Sequence, residues 1–211
     1  MNEPTAGGLS LRTALAMLVF TLVFTAFMAG GYLLTRDPIA RSAKAEKLLL
    51  IDQILPRSGY DNALLDDVIS LPPTPELGLD QGGQVWRARR AGQPAALVME
   101  AVAPDGYAGR VELIVAVAAD GQVLGARVTQ HRETPGLGDY IDPRKDKNKA
   151  HPWISQFERP ARDLPPAAWT VKKDGGAFDY NTGATISARA VTRAVGRVAA
   201  YAAAHRDALF Q

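Results

Sequence analysis

Asp179-Tyr180-Asn181-Thr182-Gly183-Ala184-Thr185 runs directly into Ile186-Ser187-Ala188-Arg189-Ala190-Val191, a hydroxyl-rich turn followed by an apolar-periodic stretch. This pattern predicts a helix N-terminus, where the first backbone N–H groups lack intrahelical partners and the positive end of the dipole favours an anion. A threonine hydroxyl at that point could carry a phosphate, which the helix would help to neutralise. On these residues alone a plainer reading competes: the hydroxyl of Thr182, Thr185 or Ser187 is an ordinary N-cap.

A second stretch with chemical character is His131-Arg132-Glu133-Thr134-Pro135-Gly136-Leu137-Gly138-Asp139-Tyr140. Two glycines and a proline in a loop off a strand end let backbone come close to a flat ligand with its N–H groups exposed. His131 and Glu133 are metal-ligating types, but they stand on alternate positions with no third ligand nearby, so no metal site is expected.

These loops need a scaffold, and the pattern between them predicts a sheet. Residues 84–89 alternate, Gly92-Gln93-Pro94 turns the chain, and Ala95–Val102 returns. Val111–Val117 is rich in β-formers, and Asp120-Gly121 is a hairpin signal before Val123–Thr129. Short turns between four strands predict an antiparallel meander. Ala103–Gly109 reads as a tight glycine-rich turn, Asp142–Lys149 as a charged, solvated segment, and Trp169-Thr170-Val171 as one more strand. Trp153 and Phe157 read as core or interface residues. From Ile186 to about Leu209 an alanine-rich helix is expected, with Val191, Ala194, Val195, Val198 and Ala202 on its buried face. Arg189, Arg193 and Arg197 recur every four residues on another face and read as a solvated stripe.

Upstream, the segment from Thr13 to Leu34 carries no charged residue and makes a helix of about 33 Å, enough to cross a bilayer's hydrocarbon core. It is longer than the apolar core of a signal peptide, and Ala26-Phe27-Met28-Ala29 is a poor cleavage site, so an uncleaved anchor is expected. Asp37-Pro38 should break or restart the helix, which then continues from Ile39 to Leu55 until Pro56 stops it; Ser58–Gly83 reads as loop with short helical turns. Arg36, Arg41, Lys44 and Lys47 follow the span while only Arg12 precedes it. A positive-inside count therefore favours a cytoplasmic domain, although long domains translocate regardless of such charges, and charge alone leaves the side open.

Composition narrows the functional classes. With 24 basic against 22 acidic residues, nearly balanced beyond the span, there is no basic patch interleaved with aromatics, and nucleic acid is not an expected partner. The 211-residue chain has no cysteine, which removes disulfides and thiolate-held iron–sulfur or zinc centres. Any electron carrier here must be organic.

Several separated pieces together resemble the RnfG component of the Rnf (Rsx) ion-translocating electron-transport complex. They are Thr35-Arg36-Asp37-Pro38-Ile39-Ala40 after the span, Ile51–Pro56, Ala103-Pro104-Asp105-Gly106-Tyr107, the Glu133-Thr134-Pro135-Gly136-Leu137-Gly138 loop, Val171–Gly176 and Thr182-Gly183-Ala184-Thr185. The resemblance covers nearly the whole chain. It implies an α+β fold: one transmembrane helix (1–35 with its tail), a juxtamembrane helix and loop (36–83), and an FMN-binding domain (84–211) with an antiparallel sheet flanked by helices, a long C-terminal one included.

The resemblance further implies that the phosphate of FMN is esterified to Thr185 by a flavin transferase that reads an element beginning at Asp179. Thr182 stands where a serine is frequent, which keeps the hydroxyl. Gly183 and Ala184 complete the cofactor-binding turn, and Glu133, Thr134, Leu137 and Gly138 are expected to line the ring. The domain is expected on the periplasmic side of the bacterial cytoplasmic membrane, against the charge count. The implied role is electron transfer within a translocase that couples ferredoxin and NAD to ion movement, with the other membrane subunits as partners and no activity expected of this chain alone. Two alternatives are the flavin subunit of a sodium-pumping NADH:quinone reductase and a membrane-tethered flavin-binding or sensory module without redox turnover.

Overall fold

The computed structural model describes residues 6–158, 160 and 164–211, so the first residues of the expected N-terminal tail lie outside the described residues. The chain divides into two compact units, residues 1–47 and 48–211. The first consists of helix α1 (Ala6–Asp52), whose last turns belong to the second unit. Leu11, Leu15, Phe20, Phe24, Phe27 and Leu34 on this helix are all exposed, and it is long and apolar enough to cross a membrane. Pro38 does not interrupt it. A proline forgoes one N–H bond, but its fixed φ is itself helical, so the neighbouring bonds carry α1 across.

In the second unit five strands form one antiparallel sheet in the order β1 (Val68–Leu71), β2 (Gly83–Arg90), β3 (Gln93–Gly106), β4 (Gly109–Ala118) and β5 (Val123–Gln130). The meander is as expected, with one strand more. β1 lies inside the stretch read as loop, because four residues that run straight into Pro72-Pro73 are too short to show alternation. It is placed by pairing, Val68 opposite Trp86 and Leu71 opposite Gly83. β3 also runs further than expected. Most of Ala103–Gly109 is strand, and the turn itself is only Tyr107-Ala108, between the paired Gly106 and Gly109. A register shift between Ala103 and Gly106 absorbs Pro104, which has no N–H to donate.

Successive residues of the central strands serve two cores. Val85, Leu97, Met99, Leu113 and Val115 face one. Trp86, Ala88, Ala96, Val98, Ile114 and Ala116 face the other, closed by Ile51, Ile54, Leu55 and Leu64. Helix α2 (Thr185–Phe210) covers the first face with Ala188, Val191, Ala194, Val195, Val198 and Ala202, all buried, which matches the periodicity of the sequence. Its arginine stripe is not uniformly solvated: Arg193 is exposed, Arg189 pairs with Asp174, and Arg197 donates to the Val102 carbonyl at 3.2 Å.

Two further expectations change. Trp169-Thr170-Val171 forms no strand but one parallel bridge, Val171 to Phe178, because Gly175 at φ 84° reverses the chain at once. In the segment Asp142–Lys149 the two aspartates are buried, since Asp142 pairs with Arg144 and Asp146 accepts the Trp153 N–H at 2.6 Å. Trp153 and Phe157 do belong to the core, in an edge-to-face series from Tyr140 that continues by stacking through Phe178 to Trp169.

Asp67 ties β2 to the segment before β1 by accepting from Arg87 and, at 2.9 Å, from Arg89. Partial burial works to raise its pKa, and the hydrogen bonds from Arg89 and Arg87 outweigh that, leaving it below the usual carboxylate value. A depressed folded-state pKa stabilises above the unfolded value near 4 and loses that contribution as pH falls through the folded value. Asp67→Asn should therefore lower stability by about 1–2 kcal/mol at neutral pH. Denaturant titrations of the two proteins should converge as the pH is lowered beneath the carboxylate range.

Candidate functional site

Trp169 and the Gly175 reversal lead the chain to the Asp179–Thr185 turn, which is held almost entirely through its backbone. Trp153 Nε1–H donates to the Asp179 carbonyl at 2.6 Å, and the Asp179 N–H donates to Gln156 Oε1 at 2.8 Å. Tyr140 Oη accepts from the Asn181 N–H at 3.2 Å and donates to the Ala184 carbonyl at 3.1 Å. Burial of the Tyr140 phenol pushes its pKa up to about 12, so it stays a neutral two-way link across the working pH range. With the backbone so engaged, the side chains of Asn181 and Thr182 point to solvent, and that of Asp179 is 71% exposed and pairs with Lys172.

Gly183 has φ 91°, a conformation that side-chain-bearing residues rarely adopt, and it turns the chain into α2. The N-cap is Ala184, and no side chain makes the capping hydrogen bond. The plain reading of Thr182, Thr185 or Ser187 as a hydroxyl cap is thus corrected. Thr185 is the first helical residue and half-buried. Ser187 is buried, with its hydroxyl directed to Glu133 Oε2 at 2.6 Å.

The Glu133–Tyr140 loop meets the start of α2 from the other side. Thr134 O accepts from the Leu137 and Gly138 N–H groups, both at 3.1 Å, and Gly136, at φ 75°, makes the bend. Glu133 is only 4% exposed, and its Oε1 accepts the Ala108 N–H at 3.3 Å from the β3–β4 turn. One carboxylate therefore joins the loop, α2 and the β3–β4 hairpin. A Cβ on Gly138 would lie 2.7 Å from both Glu133 Oε2 and Ser187 Oγ, and one on Gly106 would lie 2.8 Å from Glu133 Oε1. Both glycines are what leave room for that carboxylate.

These elements enclose a cleft of about 210 Å³ lined by Tyr107, Glu133, Thr134, Leu137, Gly138, Gly183, Ala184, Ile186 and Ser187. Six residues expected to form the site meet here: Glu133, Thr134, Leu137, Gly138, Gly183 and Ala184. Thr185 sits between the lining residues Ala184 and Ile186 without itself lining the cleft, and Thr182 and Asp179 lie outside it. The sequence reading missed Tyr107, Ile186 and Ser187. Tyr107 lay in a stretch that looked like an ordinary turn, and nothing in the spacing shows that Ser187 faces a glutamate more than fifty residues away.

The lining has a specific character. Among the described residues of the second unit, the exposed large apolar side chains are Leu49, Tyr107, Leu137 and Ile186, and the last three stand together at this cleft. An exposed apolar cluster beside an uncapped helix N-terminus suits a ligand with a flat apolar body and an anionic end. A larger groove of about 530 Å³ runs beside α2 at Trp169, Arg193 and Arg197, but it contains none of the turn or loop residues. Among the described residues no three His, Cys, Asp or Glu side chains converge on a possible metal position.

Comparison with known proteins agrees with this geometry. Residues 106–200 match the model of the FMN-binding domain, a range that holds every residue of the cleft, and residues 9–54 match the RnfG N-terminal region. The chain is 39% identical over 200 residues to the G component of the ion-translocating oxidoreductase complex of Pseudoalteromonas atlantica, covering 94% of this chain and 91% of that protein. It is 40% identical to the protein of the same description from Pseudomonas aeruginosa, over 94% of this chain and 91% of the relative. For Escherichia coli (strain K12) the identity is 42%, over 90% of each. With an apolar N-terminal helix, an FMN-binding domain that contains the Thr185 turn, and likeness at this level along nearly the full length, the chain belongs to the RnfG family of ion-translocating oxidoreductase complexes.

Proposed function

We propose that this chain is the electron-relay subunit of an Rnf-type complex and holds FMN through a phosphoester between the cofactor's phosphate and the Thr185 hydroxyl. The observation that carries this reading is the position of Thr185: it opens α2, beside an exposed apolar cleft, at a helix start that no side chain caps. A phosphate on Thr185 would accept from the free N–H groups of the first turn and meet the positive end of the dipole. Gly183 and Ala184 add no bulk there, and Thr182 stands outside on the exposed turn.

The flat apolar body of the cofactor fits the rest of the lining. Leu137, Ile186 and Tyr107 supply apolar surface, while Glu133, Thr134 and Gly138 supply the polar wall and the backbone. At about 210 Å³ the cleft is smaller than the pockets of ~300–1,000 Å³ that enclose whole ligands, so an edge of the ring system would remain at the surface, within reach of another subunit's carrier. The flavin supplies the redox chemistry, and the chain's own residues bind it, orient it and set its polarity. A covalent link keeps the site filled whatever the free cofactor concentration, which suits a domain on the periplasmic side of the cytoplasmic membrane, tethered by α1. In that setting the relay would serve ion-coupled electron transfer between ferredoxin and NAD.

Attachment requires a flavin transferase, and the exposed Asp179 side chain on a rigidly held backbone is what such an enzyme could read. When the full chain is produced with its transferase and denatured, flavin fluorescence should stay with the polypeptide on a gel. Thr185→Ala should abolish that band. Asp179→Ala should weaken it strongly without changing thermal stability, because the side chain is solvated. Unlabelled wild type, or a labelled Thr185→Ala, would refute the phosphoester. Tyr140→Phe removes both hydrogen bonds to the turn and should cost about 1–3 kcal/mol in denaturant unfolding. It should also slow flavin loading while leaving Thr185 as the labelled residue.

A further inference from the structure

We infer that Ser187 is a positioning residue that lowers the reduction potential of the flavin by fixing the Glu133 carboxylate in the wall of the cleft; this rests on the flavin reading above. Both side chains line the cleft and are almost wholly buried: Glu133 is 4% exposed and Ser187 1%. A carboxylate so placed is costly unless it is paired or fully hydrogen-bonded. Among the described residues no lysine or arginine pairs with it. Its two oxygens instead accept one neutral donor each, the Ser187 hydroxyl at 2.6 Å and the Ala108 N–H at 3.3 Å. Neutral donors hold the group in place without cancelling its charge.

The surrounding chain is shaped to keep the carboxylate there. Gly138 and Gly106 each leave the space that a Cβ would take from its oxygens. The Glu133 N–H is held by His131 Nδ1 at 3.2 Å, which fixes the backbone from which the side chain departs. A bridge of three elements through an uncancelled charge is a poor device for stability alone, since an apolar contact of the same shape would serve without the desolvation cost. Its consequence lies inside the cleft. A fixed negative charge in a buried position of the wall opposes the electron density added when a bound cofactor is reduced. Such burial and hydrogen bonding are the means by which a protein tunes a cofactor's electronics.

The substitution Glu133→Gln isolates the charge. A glutamine can accept the Ala108 N–H with its oxygen and donate its amide to Ser187, whose hydroxyl reverses direction, so both contacts survive. The test is a potentiometric titration of the full-length, flavin-loaded chain in detergent, with mediators delivering two electrons per flavin and protons taken from water. Glu133→Gln should move the midpoint to a more positive value by at least about tenfold in the reduction equilibrium, or ~30 mV for a two-electron couple. Ser187→Ala should shift it in the same direction, and adding Ser187→Ala to Glu133→Gln should produce no further shift, because Ser187 acts through Glu133. An unchanged midpoint in flavin-loaded Glu133→Gln, or fully additive shifts, would overturn the inference while leaving the flavin reading intact. If Glu133→Gln does not accumulate, Ser187→Ala carries the test: an unchanged midpoint in that variant overturns the inference. Absence of flavin from the wild-type chain is a separate result, seen on the gel before any titration, and it defeats both.

Discussion

The buried hydrogen bond from the Ser187 hydroxyl to Glu133 at 2.6 Å joins the two stretches on which the site depends at the wall of the cleft, beside the two that Tyr140 makes to the turn. Glu133 stands three residues beyond the end of β5, and Ser187 stands in the first turn of α2. The second oxygen of the same carboxylate reaches the β3–β4 turn at Ala108. Remove the bond, and the loop, the helix start and the hairpin lose a shared partner at the wall of the cleft. A buried acceptor left without its donor carries the full desolvation penalty, so this contact constrains the geometry more than its net strength suggests.

The rest of the fold makes that contact possible. The antiparallel sheet is rigid because both faces are covered, one by α2 and the other by Ile51, Ile54 and Leu55. With α2 held by Ala188, Val191, Val195 and Val198 on the sheet, its first turn has little freedom. Tyr140 and Trp153 then lock the turn before it by backbone hydrogen bonds, and they are themselves anchored in the aromatic series that ends at Trp169. Side chains that would otherwise be spent on holding the turn are left for chemistry. The Thr185 hydroxyl at the head of α2 is thereby not consumed as a cap.

Much of this was legible beforehand, for identifiable reasons. The buried face of α2 follows from a period of 3.6, and the meander from alternation broken by Asp120-Gly121 and other short turns. The errors also share a cause. β1 is too short for periodicity, and it exists because β2 presents a partner edge. Asp142 and Asp146 looked solvated by composition, yet each is buried with local partners. Pro38 looked like a break, but one missing N–H does not end a helix whose other bonds remain. In each case a local rule was overruled by pairing or packing that no local window contains.

The amino-acid sequence by itself determined the long apolar N-terminal helix, the helix start after Gly183, the absence of thiolate chemistry and the family to which the two loops belong. All of these are properties of residue type and short-range spacing. Only the tertiary structure decided that Ala184 rather than a hydroxyl occupies the N-cap, that Tyr107, Ile186 and Ser187 complete the cleft, and that Ser187 meets Glu133. The physical reason is chain separation. Contacts between groups so distant along the chain exist only after the sheet and α2 have packed, and their geometry is set by that packing.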